Sequence, residues 1–592
     1  MTSRTAWTLL ATMALLPTPS PAVEREDDRL DAYFREYLDA WFADEPLSAT
    51  RLGDHRFDDR LDDLSPEARA GWVGRDRAFL DDLPRRVDYD ALSRDGQVDY
   101  EIFRHHLDSA LWLAEHFDPF VEDPRVYVGY TTEGVYLLLT QSTLPKATNL
   151  ANAIARIGQV PRVVETAKAT LSAGETPRVK VETAILQTRG AIGFYTDEVF
   201  LLADRPRGEG ELAEAAGAAV EALRGYLEFL EGELLPEAGE GWRIGPELFA
   251  EKVGRELDSG LTAAEILDEA RAEAEQVEAE MAVLSRQIWS GLFPGEVIPP
   301  DDERGRRAMI RRVLGRIGEE HGTPEGLVED ATATVDAIKA FIAERGVLEL
   351  PEPDRCAIIE MPEFMRGNSV AYLNPAPPLD PGGGSEYAIS PPPGDWDEGR
   401  VDSFLREYNA RMLRILTIHE AYPGHYVQLE YANRCPSLIR KVLSSGTFAE
   451  GWAVYTERMM LDEGFGEGDP KLRLQQLKFY LRAVVNAILD HEMHAGDMTD
   501  DEALDLLMDR AFQTEGEAVG KVIRSKQSSA QLSTYFVGRV AFHRLRRDIQ
   551  LEQGDEFDLG RYHEAALSHG TLPVKYLPEL VRRSLGMEAA GD

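Results

Sequence analysis

From about residue 27 to 345, apolar positions recur at the three- and four-residue spacing of helices that bury one stripe. Local signals mark several helix ends. Ser65-Pro66-Glu67 reads as an N-cap with proline at the first helical position. Thr262-Ala263-Ala264-Glu265 is a capping box opening a helix that runs to about Trp289. Thr323-Pro324 starts another, which stops at Gly346, where a left-handed C-cap is favourable. Between 347 and 400 the helical period disappears. Ten of the 33 prolines fall in 351–400, together with Gly382-Gly383-Gly384, so no long helix fits. Three short runs read as strands: Cys356–Glu360, Ser369–Leu373 and Glu386–Ser390. Helical spacing returns from about 401 to 585, with a further capping box at Thr499-Asp500-Asp501-Glu502. The pattern predicts a mainly α protein with a small β insertion. Its segments are 1–22, 23–346, 347–400 and 401–592.

Composition narrows the function classes. The chain has 592 residues, with 105 Asp plus Glu against 64 Lys plus Arg, a net charge of -41. Such a surface repels phosphate backbones and anionic lipid, which argues against nucleic-acid and membrane-surface partners. Arg4, the apolar run Ala6 to Leu16 and Ser20-Pro21-Ala22 predict a signal peptide over residues 1–22, and hence export to the periplasm or beyond. That run is too short to span a bilayer, no later one reaches spanning length, and no cysteine follows it to carry a lipid. The mature protein is therefore expected to be soluble. The two cysteines, Cys356 and Cys435, either pair or stay as thiols.

The chemistry concentrates at His419-Glu420-Ala421-Tyr422-Pro423-Gly424-His425. Tyr408, Met412, Ile415 and His419 follow helical spacing, which puts His419 on a buried stripe. A neutral imidazole there can bind zinc, and Glu420 beside it can act as general base on a water. The two histidines are six residues apart, which sets them roughly 120° apart on a regular helix at about 100° per residue. They cannot then share an ion unless the helix breaks. Pro423 removes a helix hydrogen bond and Gly424 tolerates unusual dihedrals, so a break is expected between them. A third protein ligand is needed, and Phe448-Ala449-Glu450-Gly451-Trp452 to Glu457 offers two carboxylates on one helix face. One of Glu450 and Glu457 can bind the metal while the other supports it.

With those motifs in hand, His-Glu-x-x-Pro-Gly-His followed by Glu-Gly-Trp-Ala resembles the bacterial "domain of unknown function 885" family, thought to be zinc-peptidase-like. Weaker matches are Pro46, Ala49, Thr50, Leu52 and Gly53, and Met361-Pro362-Glu363-Phe364. The resemblance implies a large, mostly helical metallopeptidase-like fold with its β insertion ahead of the zinc helix, with His419, His425 and Glu450 as ligands and Glu420 as base. It extends to Arg482, Asp490 and His494, and to Arg524, Gln531, Tyr535 and Gly538, with departures at Ser529 and Phe536. From the residues themselves, Tyr535, His494 and Arg482 can donate to a developing oxyanion, and Arg524 can hold a substrate carboxylate. Glu457 and Asp490 are taken as carboxylates supporting the site.

The expected function is that of an exported zinc-dependent hydrolase, a peptidase first of all. A hydrolase of another amide or ester would use the same residues, and a binding protein with a vestigial metal site would keep the zinc without turnover. No Gly-x-Ser-x-Gly elbow, phosphate loop or dinucleotide fingerprint competes with these readings. If the substrate is an extended peptide, a strand of the 347–400 insertion can run beside the site and pair with it. Otherwise the insertion simply wraps the helical core.

Overall fold

A computed structural model of the chain describes residues 25–587 apart from 173, 362–370, 381 and 395. The expected signal peptide, Pro362-Glu363-Phe364 and the first two residues of the strand expected at Ser369–Leu373 lie outside the described residues.

The fold is mainly α with one small sheet, and its helix ends follow the chemistry of their caps. Ser65 accepts a hydrogen bond from the Ala68 N–H ahead of Pro66–Arg86. Both halves of the capping box form at Thr262, opening Ala263–Leu292, and again at Thr499. The segment after Thr323 begins as a single 3-10 turn, Pro324–Gly326. It continues as Leu327–Arg345 and closes on Gly346 at φ 62°, the left-handed C-cap expected there.

The insertion forms three strands, β1 (Cys356–Glu360), β2 (Ala371–Asn374) and β3 (Ser385–Ile389), in the order β1-β3-β2. β1 and β3 run parallel with Cys356 opposite Ser385, while β2 runs antiparallel to β3 with Ala371 opposite Ile389. The central strand carries buried Tyr387, Ala388 and Ile389, as a strand covered on both faces must. The Tyr387 hydroxyl meets Thr417 Oγ1 at 3.1 Å, tying the sheet to the helix that carries His419.

Hydrophobic clusters run across the sequence segments. One joins helices of residues 30–107 to the sheet and to the helices around His419, Trp452 and Tyr562. A second joins Phe249–Ile317 to the Pro470–His494 helix, and a third holds residues 61–234 together. Cys356 and Cys435 are both free thiols. Among the described residues no helix is long and apolar enough to cross a membrane.

Candidate metal centre

The His419 helix, Ala410–Glu420, starts where the Asn409 side chain accepts from the N–H groups of Arg411 and Met412. Tyr408 therefore does not belong to its stripe, as the spacing suggested; it ends the preceding helix, Glu398–Glu407. Met412, Ile415 and His419 are buried together. The helix stops at Glu420 and a new one, His425–Arg434, begins at the second histidine. The expected break is thus complete. Gly424 serves it by size rather than by a positive φ. Its φ is -69°, but a Cβ there would lie 1.9 Å from the His419 carbonyl oxygen and 2.3 Å from that of Ile418. The turn is pinned from the neighbouring helix, Gly446–Asp462, by Trp452 Nε1, which donates to the Pro423 carbonyl at 2.8 Å.

That neighbouring helix also delivers the carboxylates. It crosses Thr534–Gln553 at a glycine–glycine contact, where a Cβ on Gly451 would meet Gly538 Cα at 2.3 Å and one on Gly538 would meet the Thr447 carbonyl at 1.9 Å. The close approach brings Glu450, next to Gly451, and Tyr535, about one turn before Gly538, into the same cleft. Glu450 Oε2 lies 3.5 Å from His425 Nε2 and 3.7 Å from His419 Nε2. The imidazole rings stand 4.8 Å apart at 88°.

One ligand atom from each of His419, His425 and Glu450 lies within 4.8 Å of the others. Two ligands about 2.1 Å from a tetrahedral ion sit roughly 3.4 Å apart, so the observed spacings suit zinc. The donor set also fits, because Glu450 Oε2 is buried without a hydrogen-bond partner of its own. Burial alone would raise the Glu450 carboxyl, but the two imidazoles hold it well below the usual range. Burial would likewise lower His419, and the carboxylates of Glu450 and Glu457 hold it well above its usual value. Glu457, fully buried, accepts from His419 Nδ1 at 2.8 Å and leaves Nε2 turned toward Glu450.

The cleft, about 510 Å³, is lined by all three of these residues and by Glu420, Glu457, Tyr535, Arg482 and Arg524. Among the described residues the Glu420 carboxylate has no hydrogen bond or ion pair, which leaves it available to a water. Burial and the charge of Glu450 raise the Tyr535 phenol, so it stays a donor. Arg482 donates to Glu517 at 3.2 Å and Arg524 to Gln531 at 2.8 Å. Ala371, Tyr372 and Leu373 of the edge strand β2 complete one side.

The structure does not bring His494 and Asp490 to this cleft. His494 Nε2 donates to the carbonyls of Ser525 and Ser528 at 2.7 and 3.1 Å, and burial pushes its pKa down to about 4. Asp490 accepts from the Ala530 N–H at 3.0 Å and the Ser533 hydroxyl at 2.8 Å, and burial pushes it up to about 7. Sequence reasoning also passed over Lys521 and Asn486, both buried in the cleft lining. Lys521 carried a signal, since it lies four residues after Glu517 and three before Arg524 on one helix face. Asn486 had none.

The same overall architecture occurs in solved structures. A Shewanella oneidensis protein described as "a putative lipoprotein of unknown function" is 29% identical and superposes with a TM-score of 0.78 over 93% of this chain and 99% of its own. A Colwellia psychrerythraea "putative lipoprotein" shares the fold at 17% identity, with a TM-score of 0.76 over 95% of this chain and 100% of its own. No curated protein matches the chain. Residues 46–581, which include every ligand of the candidate centre, match the family described as "Bacterial protein of unknown function (DUF885)", and the chain belongs to that family.

Proposed function

We propose that the chain is an exported zinc-dependent hydrolase that cleaves peptide amide bonds. The observation that carries this reading is the convergence of His419, His425 and Glu450 within 4.8 Å in a cleft, beside an unpaired Glu420. Two neutral imidazoles and one carboxylate suit zinc and leave a position open. When bound, zinc supplies Lewis acidity, polarising the scissile carbonyl and lowering the pKa of a water. Glu420 takes the proton as the water oxygen bonds to the carbonyl carbon. Tyr535 donates to the oxygen that gains charge. The carbon–nitrogen bond then breaks, and the proton held by Glu420 passes to the leaving nitrogen, giving an amine and a carboxylic acid, whose remaining proton moves to the amine to leave a carboxylate and an ammonium. Glu457 keeps the His419 ring in its orientation throughout.

A peptide substrate is supported by β2, an edge strand that lines the cleft. An extended chain laid along such a strand gains main-chain hydrogen bonds whatever its side chains. Export is supported by the leader-like residues 1–22 and by the descriptions of the two structural relatives as lipoproteins. The test is metal analysis of protein purified without chelators, followed by peptide hydrolysis before and after chelation. Near-stoichiometric zinc and chelator-sensitive cleavage are expected, with His425→Ala holding only a small fraction of the zinc. A His425→Ala protein that keeps one tight zinc removes that residue from the centre. Stoichiometric zinc without hydrolysis of any peptide or ester overturns the enzymatic reading.

A further inference from the structure

Beyond the metal ligands, the cleft is lined by one face of the Glu515–Gln527 helix and by Arg482. Its carboxylates and cations pair unevenly. Glu407 takes both hydrogen bonds of Lys478, at 2.5 and 2.7 Å. Glu517 accepts from the Tyr408 hydroxyl at 3.0 Å and from Arg482 at 3.2 Å. With those two carboxylates matched to Lys478 and Arg482, the cations Lys521 and Arg524 are left over. Arg524 donates to the neutral amide of Gln531. Lys521 is 7% exposed, and among the described residues its ammonium has no hydrogen bond or ion pair. A charge so far from water is costly unless something pairs with it, so this end of the cleft favours an anionic group, in a chain whose net charge is -41. Burial first, then Arg482 and Arg524, push the Lys521 pKa well below the lysine range against the pull of Glu517, and an anion bound beside it would favour the ammonium form.

Tyr535 connects this pocket to the metal centre. Its phenol lines the same cleft and feels the charges of both Glu450 and Arg524. An anion held by Lys521 and Arg524 would therefore share one cleft with the metal ligands. An ammonium and a guanidinium offer enough donors for both oxygens of a carboxylate.

We propose that Lys521 and Arg524 form a subsite for the free C-terminal carboxylate of a peptide, so that cleavage occurs near the C-terminal end. This rests on the peptidase reading above, and deepens it from peptide hydrolysis to carboxypeptidase-type selection.

The test measures binding by calorimetry to the zinc-loaded Glu420→Gln protein, which holds substrate without cleaving it. Three probes are compared: an N-acetylated tripeptide acid, its C-terminal amide, and an amide carrying an internal glutamate. The acid is expected to bind roughly 10- to 100-fold more tightly than either amide, the range for one lost charge-assisted contact. Lys521→Met should abolish that preference and Lys521→Arg should restore much of it, with thermal melts checking that each variant is folded. Arg524→Gln, at an exposed position, should weaken acid binding independently. Equal binding of acid and amide, a preference that survives Lys521→Met, or failure of every probe to bind overturns the subsite. Tight binding of the glutamate-containing amide overturns the C-terminal assignment in favour of an acidic side chain. Wild-type cleavage of amidated peptides alongside any of these failures leaves the hydrolase reading standing. A Lys521-dependent preference in a protein that cleaves nothing leaves the subsite and removes the hydrolase.

Discussion

His419 and His494 are both buried, and each has a buried carboxylate close in space or sequence, yet the two are wired differently. His419 gives its Nδ1 proton to the Glu457 carboxylate and keeps Nε2 in the cleft, 3.7 Å from Glu450. His494 spends Nε2 on two backbone carbonyls, and Asp490, one turn earlier, is spent on the Ala530 N–H and the Ser533 hydroxyl. A carboxylate partner raises an imidazole's basicity and leaves the other nitrogen free to bind. At His494 burial keeps the ring neutral against its carbonyl partners, which make it a tie between the Pro470–His494 helix and the C-terminal end of Glu515–Gln527. The first arrangement can do chemistry; the second holds the wall behind it.

That contrast can be broken at several points. The largest effect is expected at Glu420. Glu420→Gln should keep zinc and fold while turnover falls by roughly two to four orders of magnitude, read by metal content and kcat together. Loss of zinc from Glu420→Gln with retention in Glu450→Gln would reverse the roles of ligand and base.

Next is the pair that orients His419. Glu457→Gln should weaken zinc affinity by roughly 10- to 100-fold, measured by competition with a chelator, because the imidazole loses its charged partner. An unchanged affinity would show that helix packing alone holds the ring.

His494→Ala should act on stability instead. It leaves the Ser525 and Ser528 carbonyls without their donor and should lower the unfolding free energy by about 1–3 kcal/mol, with zinc content unchanged. A substantial loss of zinc at intact stability would return His494 to the candidate metal centre.

The smallest effect is a dependence on pH. His494 titrates at about 4 when folded against an ordinary 6.5, so its contribution is full above 6.5 and is lost as pH falls toward 4. Asp490 titrates at about 7 against an ordinary 3.8, so its contribution is full below 3.8 and is lost as pH rises through 7, with Lys252 opposing and Glu256 adding to the shift. Between 4 and 6.5 the two trends oppose each other. Asp490→Asn removes only the second, so relative to wild type it should gain at least about 1 kcal/mol on going from pH 5 to pH 8. Denaturant melts at the two pH values measure the difference, and a constant gap would mean that Asp490 titrates normally.

The amino-acid sequence by itself determined the features that depend on a few neighbouring residues. Side-chain caps placed Ser65, Thr262 and Thr499 at helix starts, and Gly346 at a helix end, because each satisfies backbone groups within one turn. Proline and glycine between His419 and His425 required a broken helix. The glycine- and proline-rich insertion had to abandon the helix, and its apolar runs supplied the strands to within about two residues. Spacing also carried His419 to a buried face, although it took Tyr408 for part of that helix, since Asn409 intercepts the first turn. Tertiary structure alone decided which carboxylate meets the histidines. Glu450 and Glu457 share a helix face, and only the Gly451–Gly538 crossing and the Trp452–Pro423 hydrogen bond put Glu450 at both Nε2 atoms and Glu457 behind His419. The same holds for His494, turned away by carbonyls 31 and 34 residues distant, and for Lys521, whose lack of a partner depends on where Glu407 and Glu517 have gone. Such choices rest on contacts between residues far apart in sequence, which no local period or spacing encodes.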